Sequence, residues 1–214
     1  MKKPAAALPL DLDECARAYH RDQVRAQALV DGLSPAEFIR EPEPGSWSVG
    51  QCLDHLNVQG GLMLPRLDRG IEKTRERSGG VGNVTPGVAN PIDYGWFDRL
   101  FVRSLASVKG RPTQRMRTPR AFVPRSHLTI EGVVQSFLIL QEELLARVER
   151  ARGLALSRVR VGSAATPLIR VRLGAWFAAI AVHQERHLEQ ARRAREAIGR
   201  PLAAWPQHPM GGGT

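Results

Sequence analysis

Apolar residues recur every three to four positions along four long stretches of this chain, the period of amphipathic helices. The first, residues 13–31, carries Ala16, Tyr19, Val24, Ala28 and Leu29 on its apolar side and is stopped by Gly32. Ser34-Pro35-Ala36-Glu37 is a capping box with proline at the first helical position, which predicts a short turn. A second long helix opens at another capping box, Ser48-Val49-Gly50-Gln51. Pro65 is expected to kink or end it. If the helix runs on, it reaches about Arg77 under a charged surface of Asp68, Arg69, Glu72, Lys73 and Glu76.

Glycine, proline and asparagine dominate residues 79–91, which predicts loop, and 96–108 reads as a partial helix. The third long helix spans 129–150, with Val133, Val134, Phe137, Leu138, Leu140, Leu144, Leu145 and Val148 in a broad apolar stripe. The fourth starts between Thr166 and Leu173 and ends at Gly199, before Pro201. Nothing reads as a strand: Val159-Arg160-Val161 alternates, but three residues decide nothing. No internal repeat is present. The pattern therefore predicts an all-α fold, a four-helix bundle with long inter-helix loops in a single domain, 1–200, followed by a flexible Pro/Gly-rich tail, 201–214.

Composition narrows the class. A chain of 214 residues buries a core without metal or disulfide staples, so any metal serves function rather than folding. Cys15 and Cys52 are the only cysteines, which fits a reducing compartment and excludes a cysteine-based zinc ribbon. The apolar stretch after Met1-Lys2-Lys3 is short and runs into Asp11, Asp13 and Glu14, so no secretory segment is read. The longest apolar run, 173–182, is half the ~20 residues that a bilayer requires. These features predict a soluble, cytoplasmic protein with no membrane partner. The net charge of +10 raises nucleic acid as a partner. However, the densest cluster, Arg111, Arg115, Arg117, Arg120 and Arg125, lies in a proline-punctuated loop whose only stacking aromatic is Phe122. A solvated basic surface with weak non-specific binding is expected, not a specific nucleic-acid site.

The chemistry concentrates in His183-Gln184-Glu185-Arg186-His187. Histidines four apart on a helix put both imidazoles on one face, about 5–6 Å apart at Cβ, which is chelating spacing. His55, on the second long helix, supplies a third candidate imidazole, and three nitrogens with an open position is the ligand count of a catalytic metal site. A metalloprotease motif is absent: Gln184 stands where the general-base Glu follows the first histidine, and Arg186 where the inverted motif has Glu before the second. Glu185 lies about 200° around the helix from His183 and points elsewhere. Gln190, seven after His183, and Gln59, four after His55, return to the histidine faces and are candidate contacts for substrate or for the ligating rings. Asp54 points about 100° away from His55 and reads as a cap or surface partner, and Trp47 as a hydrophobic lid on the bundle end. His20, His127 and His208 have no helical partner at chelating spacing and read as ordinary core or surface histidines.

The residues 47–56, Trp-Ser-Val-Gly-Gln-Cys-Leu-Asp-His-Leu, followed far downstream by His183-Gln184-Glu185-Arg186-His187-Leu188-Glu189-Gln190, resemble the paired signature of the DinB/YfiT-like superfamily. The connections at 119–124, Gly153-Leu154 and Thr166-Pro167-Leu168 resemble its DinB_2 branch. The resemblance implies a metal-binding four-helix bundle, often homodimeric, in which His55, His183 and His187 coordinate a divalent ion, zinc or nickel in many members. It also implies a choice of chemistries on a small-molecule substrate: transfer to a low-molecular-weight thiol, metal-dependent hydrolysis, or a non-catalytic metal-binding stress-response role. Fold-level likeness does not choose among them.

Overall fold

A computed structural model describes residues 8–77, 90–108, 111–112, 118–166 and 168–206. Most of the expected 79–91 loop, Arg115, Arg117, Pro167 and His208 lie outside these residues. Four long helices form the bundle: α1 (Leu12–Val30), α3 (Val49–Arg77), α5 (Ile130–Ala151) and α6 (Leu173–Ala197), with the short helices α2 (Pro35–Ile39) and α4 (Trp96–Leu105) in the connections. No helix among the described residues is long and apolar enough to cross a membrane.

The local signals act as expected. Both capping boxes close, with Ser34 and Glu37 bonding reciprocally and Ser48 Oγ accepting from the Gln51 N–H while Gln51 Oε1 accepts from the Ser48 N–H. Gly32 terminates α1 just after its C-cap Asp31, at a φ of +67°, a left-handed conformation that favours glycine. Pro65 does not end α3, which continues to Arg77. The carbonyl that the proline ring crowds and leaves unbonded belongs to Gly61, which is exposed to water.

α3 and α1 each pack against both α5 and α6 and occupy opposite corners of the bundle. Directions follow from the cross-helix bonds. Tyr19 Oη donates to the Phe177 carbonyl and Arg195 to the Ala28 and Leu29 carbonyls, so α1 and α6 run parallel. Asn57 donates to the Val133 carbonyl and Arg75 to that of Arg150, so α3 and α5 also run parallel, in the opposite sense to α1 and α6. Close approach of α3 to α5 depends on Gly60, where an added Cβ would lie 2.5 Å from Leu140.

Two antiparallel ribbons depart from a purely helical reading. β1 (Ser107–Val108) pairs with β2 (Arg111–Pro112), which ends the expected 96–108 helix at Leu105. β3 (Arg160–Gly162) pairs with β4 (Arg170–Arg172) in the α5–α6 connection. The Val159-Arg160-Val161 alternation is thus a strand: Val161 and Val171 are buried as partners, and Trp176 Nε1 donates to the Val161 carbonyl. Three residues could not reveal it because the pairing segment comes ten residues later.

The core has two apolar clusters. One surrounds Tyr19, Leu67, Leu144 and Phe177, and the other Phe38, Leu53, Phe137 and Leu188. At or beside the changeover on each helix lies a buried polar residue: Asp22 on α1, Gln59 on α3, Gln141 on α5 and Gln184 on α6. The segment expected to fray begins docked, since Leu202 and Trp205 pack on the second cluster and Arg25 donates to the Pro206 carbonyl.

Candidate metal centre

The three histidines converge. His55 comes from the second turn of α3, and His183 and His187 from consecutive turns of α6; their ring centroids lie 5.2 Å (55–183), 4.5 Å (55–187) and 4.5 Å (183–187) apart. One nitrogen from each ring falls within 4.8 Å of the other two. Imidazole nitrogens bind zinc at ~2.0–2.1 Å, so two ligands of one ion stand at most ~4.2 Å apart. A few tenths of an ångström of side-chain adjustment therefore suffices. His55 and His187 are buried and His183 is partly exposed, which leaves the cluster open on one side.

The donor set suits a cation. The Phe122 carbonyl accepts a 2.7 Å bond from His55 Nδ1, which places the proton on Nδ1 and leaves the Nε2 lone pair bare. Nδ1 of His183 and of His187 is buried without a hydrogen-bond partner, an unmet requirement that an ion bound through that nitrogen would remove. Burial pushes the pKa of His55 down, with the Phe122 bond opposing and the Arg186 charge assisting. His183 and His187 are held well below the ordinary histidine range, first by burial, then by the neighbouring rings and Arg186. The set is three neutral imidazoles, the protonation state that metal ligation requires.

The surroundings differ in part from the sequence expectation. Asp54 is neither a cap nor a surface group: it is fully buried and accepts from the Arg125 backbone N–H (2.7 Å) and from its guanidinium (2.9 and 2.5 Å). Trp47 does not sit clear of the site on the bundle end, because its ring lies 4.8 Å from His55 and 5.7 Å from His187 and walls the cluster. Glu185 points away as expected, pairing with Arg25 and Arg21 on α1. Gln190 interacts with His187 and opposes the fall in its pKa. Gln59 is buried one turn beyond His55 on α3. His20 and His127 are exposed and apart from the triad.

The sequence singled out the segment carrying Phe122 and Arg125 as a basic loop but not its contacts with His55 and Asp54. Their signal was faint: an Asp-His dipeptide, and one arginine of the basic cluster with a carboxylate to answer. A shallow dip of about 320 Å³ between α3 and α5, lined by Asn57, Gly61 and Ile139 among others, holds none of the three histidines.

The family model DinB_2, described as the DinB superfamily, matches residues 18–191, a span that contains all three histidines. No curated protein and no solved structure matches the chain.

Proposed function

Because the chain belongs to the DinB superfamily, we propose that it holds one divalent ion, zinc or nickel, on His55, His183 and His187, and that it acts on a small molecule as a transferase of a low-molecular-weight thiol. The observation that carries this reading is the convergence of three neutral imidazoles from two helices at a partly open site. When bound, a divalent ion on neutral ligands keeps its charge and lowers the pKa of a water or thiol in the open position.

The chain's own residues do the rest. The Phe122 carbonyl fixes the His55 tautomer. Trp47 covers one side of the rings and excludes water there. Thiol chemistry is favoured over hydrolysis because no free carboxylate base stands at the triad among the described residues. Attack by water calls for a group to take its proton, but the one carboxylate whose charge bears on a triad ring is Asp54, and Arg125 engages it.

Metal analysis tests the reading. Metal-free protein reconstituted with zinc or nickel and desalted is expected to keep close to one ion per chain; retention of none overturns the site. With cobalt in place, a thiol is expected to perturb the visible spectrum. A spectrum inert to thiols would leave a metal-binding protein and remove the transferase.

A further inference from the structure

Arg186 is a half-buried cation without a counter-ion among the described residues. It lies on α6 three residues after His183 and immediately before His187, on the flank of the face that carries both rings. All 21 aspartates and glutamates of the chain fall among the described residues, and none comes within ion-pair distance of its guanidinium. Several other arginines withdrawn from water are answered by a carboxylate: Arg25 by Glu185, Arg147 by Asp68, Arg172 by Asp98, Arg192 by Glu189. At 100° per residue Arg186 stands about 60° around α6 from His183 and about 100° from His187, within one turn of both rings.

A lone guanidinium held partly out of water beside a cation-binding cluster is unfavourable in the free protein, since it is desolvated and would repel the ion. An anion that bridges the two reverses both penalties. Guanidinium presents a planar fork that matches a carboxylate through two parallel bonds. We propose that Arg186 is the anion-binding residue of this site, and that the small molecule taken by the metal centre is a carboxylate-bearing thiol whose carboxylate pairs with Arg186 while its sulfur faces the three histidines. The thiol half rests on the metal reading above; the carboxylate half does not. Arg193, two turns along α6, is also half-buried and unpaired among the described residues, but at 1.5 Å rise per residue it lies about 10 Å further along and beyond the reach of the same small carboxylate.

The test titrates cobalt-loaded protein with mercaptosuccinate, which carries a thiol and two carboxylates, and with 2-mercaptoethanol, which carries no carboxylate. Arg186→Gln is expected to weaken mercaptosuccinate about tenfold or more and to leave 2-mercaptoethanol within about twofold. The same variant should bind the metal as well as or better than the wild type, because a repelling charge is gone; a purely structural role predicts the reverse. Arg193→Gln makes the same change in net charge and should leave mercaptosuccinate within about twofold. Unchanged mercaptosuccinate binding in Arg186→Gln, equal losses for both thiols, or equal losses in the two variants would each overturn the proposal. Should the wild type take up no metal, the metal reading fails separately. Succinate titrated into the metal-free protein, followed by the imidazole proton signals, then decides the carboxylate site: those signals should shift in the wild type and not in Arg186→Gln.

Discussion

Asp54 holds Arg125 by three hydrogen bonds, one from the backbone N–H and two from the guanidinium. Three residues before Arg125, the Phe122 carbonyl takes the Nδ1 proton of His55, the residue that follows Asp54 on α3. Two adjacent side chains about 100° apart on one helix thus grip the same loop, one by a buried carboxylate and the other by a ring nitrogen. The buried carboxylate thereby anchors the loop that carries the hydrogen-bond acceptor of His55.

Removing that grip should loosen the ligand without unfolding the bundle. Asp54→Ala is expected to lower zinc affinity about 10- to 100-fold, the usual cost of losing a group that orients a ligand, with helical circular dichroism retained. Competition against a chelator measures it, and an affinity equal to wild type would show that the loop stays in place unaided.

The histidines should divide into two sets. Alanine at His55, His183 or His187 leaves two imidazoles, too few for a normal protein site, so zinc binding should collapse in each. His20→Ala and His127→Ala, both at exposed positions, should keep full metal content, with stability changes within about 1 kcal/mol. Isothermal titration of zinc into the five variants separates the sets; similar affinities in all five would refute the triad.

Asp22 makes stability depend on pH. It is fully buried on α1, neither oxygen has a hydrogen-bond partner, and Arg25 stands 3.7 Å away. Burial first, then Glu185, push its pKa from 3.8 to about 8, against the opposing charges of Arg21 and Arg25. The folded chain therefore holds a proton that the unfolded chain has lost between pH 4 and 8, and this group's contribution to stability declines as pH rises through that window, by at most about 1.4 kcal/mol per unit. Asp22→Asn should remove the slope, so its gain in Tm over wild type grows from pH 5 to pH 8. A constant difference across that range would mean that the carboxylate is ionised in the fold.

Gly60→Ala should destabilise by about 1–3 kcal/mol through overpacking, since the new Cβ would meet the Leu140 side chain at 2.5 Å. Gly61→Ala, one residue on and with nothing within 4 Å, provides the control. Urea denaturation of both variants checks the difference, and equal losses would point to helix entropy rather than to the α3–α5 contact.

Local order was legible in the chain itself. Helix positions follow from a period that any 20-residue window displays, and the caps at Ser34 and Ser48 from bonds spanning three residues. The pairing of His183 with His187 follows equally from one helical turn. What required the tertiary structure is every relationship between segments distant in sequence. The β3–β4 ribbon, the burial of Asp54 against Arg125, the Phe122 carbonyl on His55 and the Trp47 wall each join residues whose separation carries no periodic signal. Asp54 shows why: helical geometry correctly turned it away from the metal side of His55, but only packing could decide whether that direction led to water or to a loop 71 residues along the chain. Arg186 shows the converse. Its position one residue before His187 was plain from the start, while its lack of a counter-ion among the described residues depends on where the 21 Asp and Glu side chains come to rest.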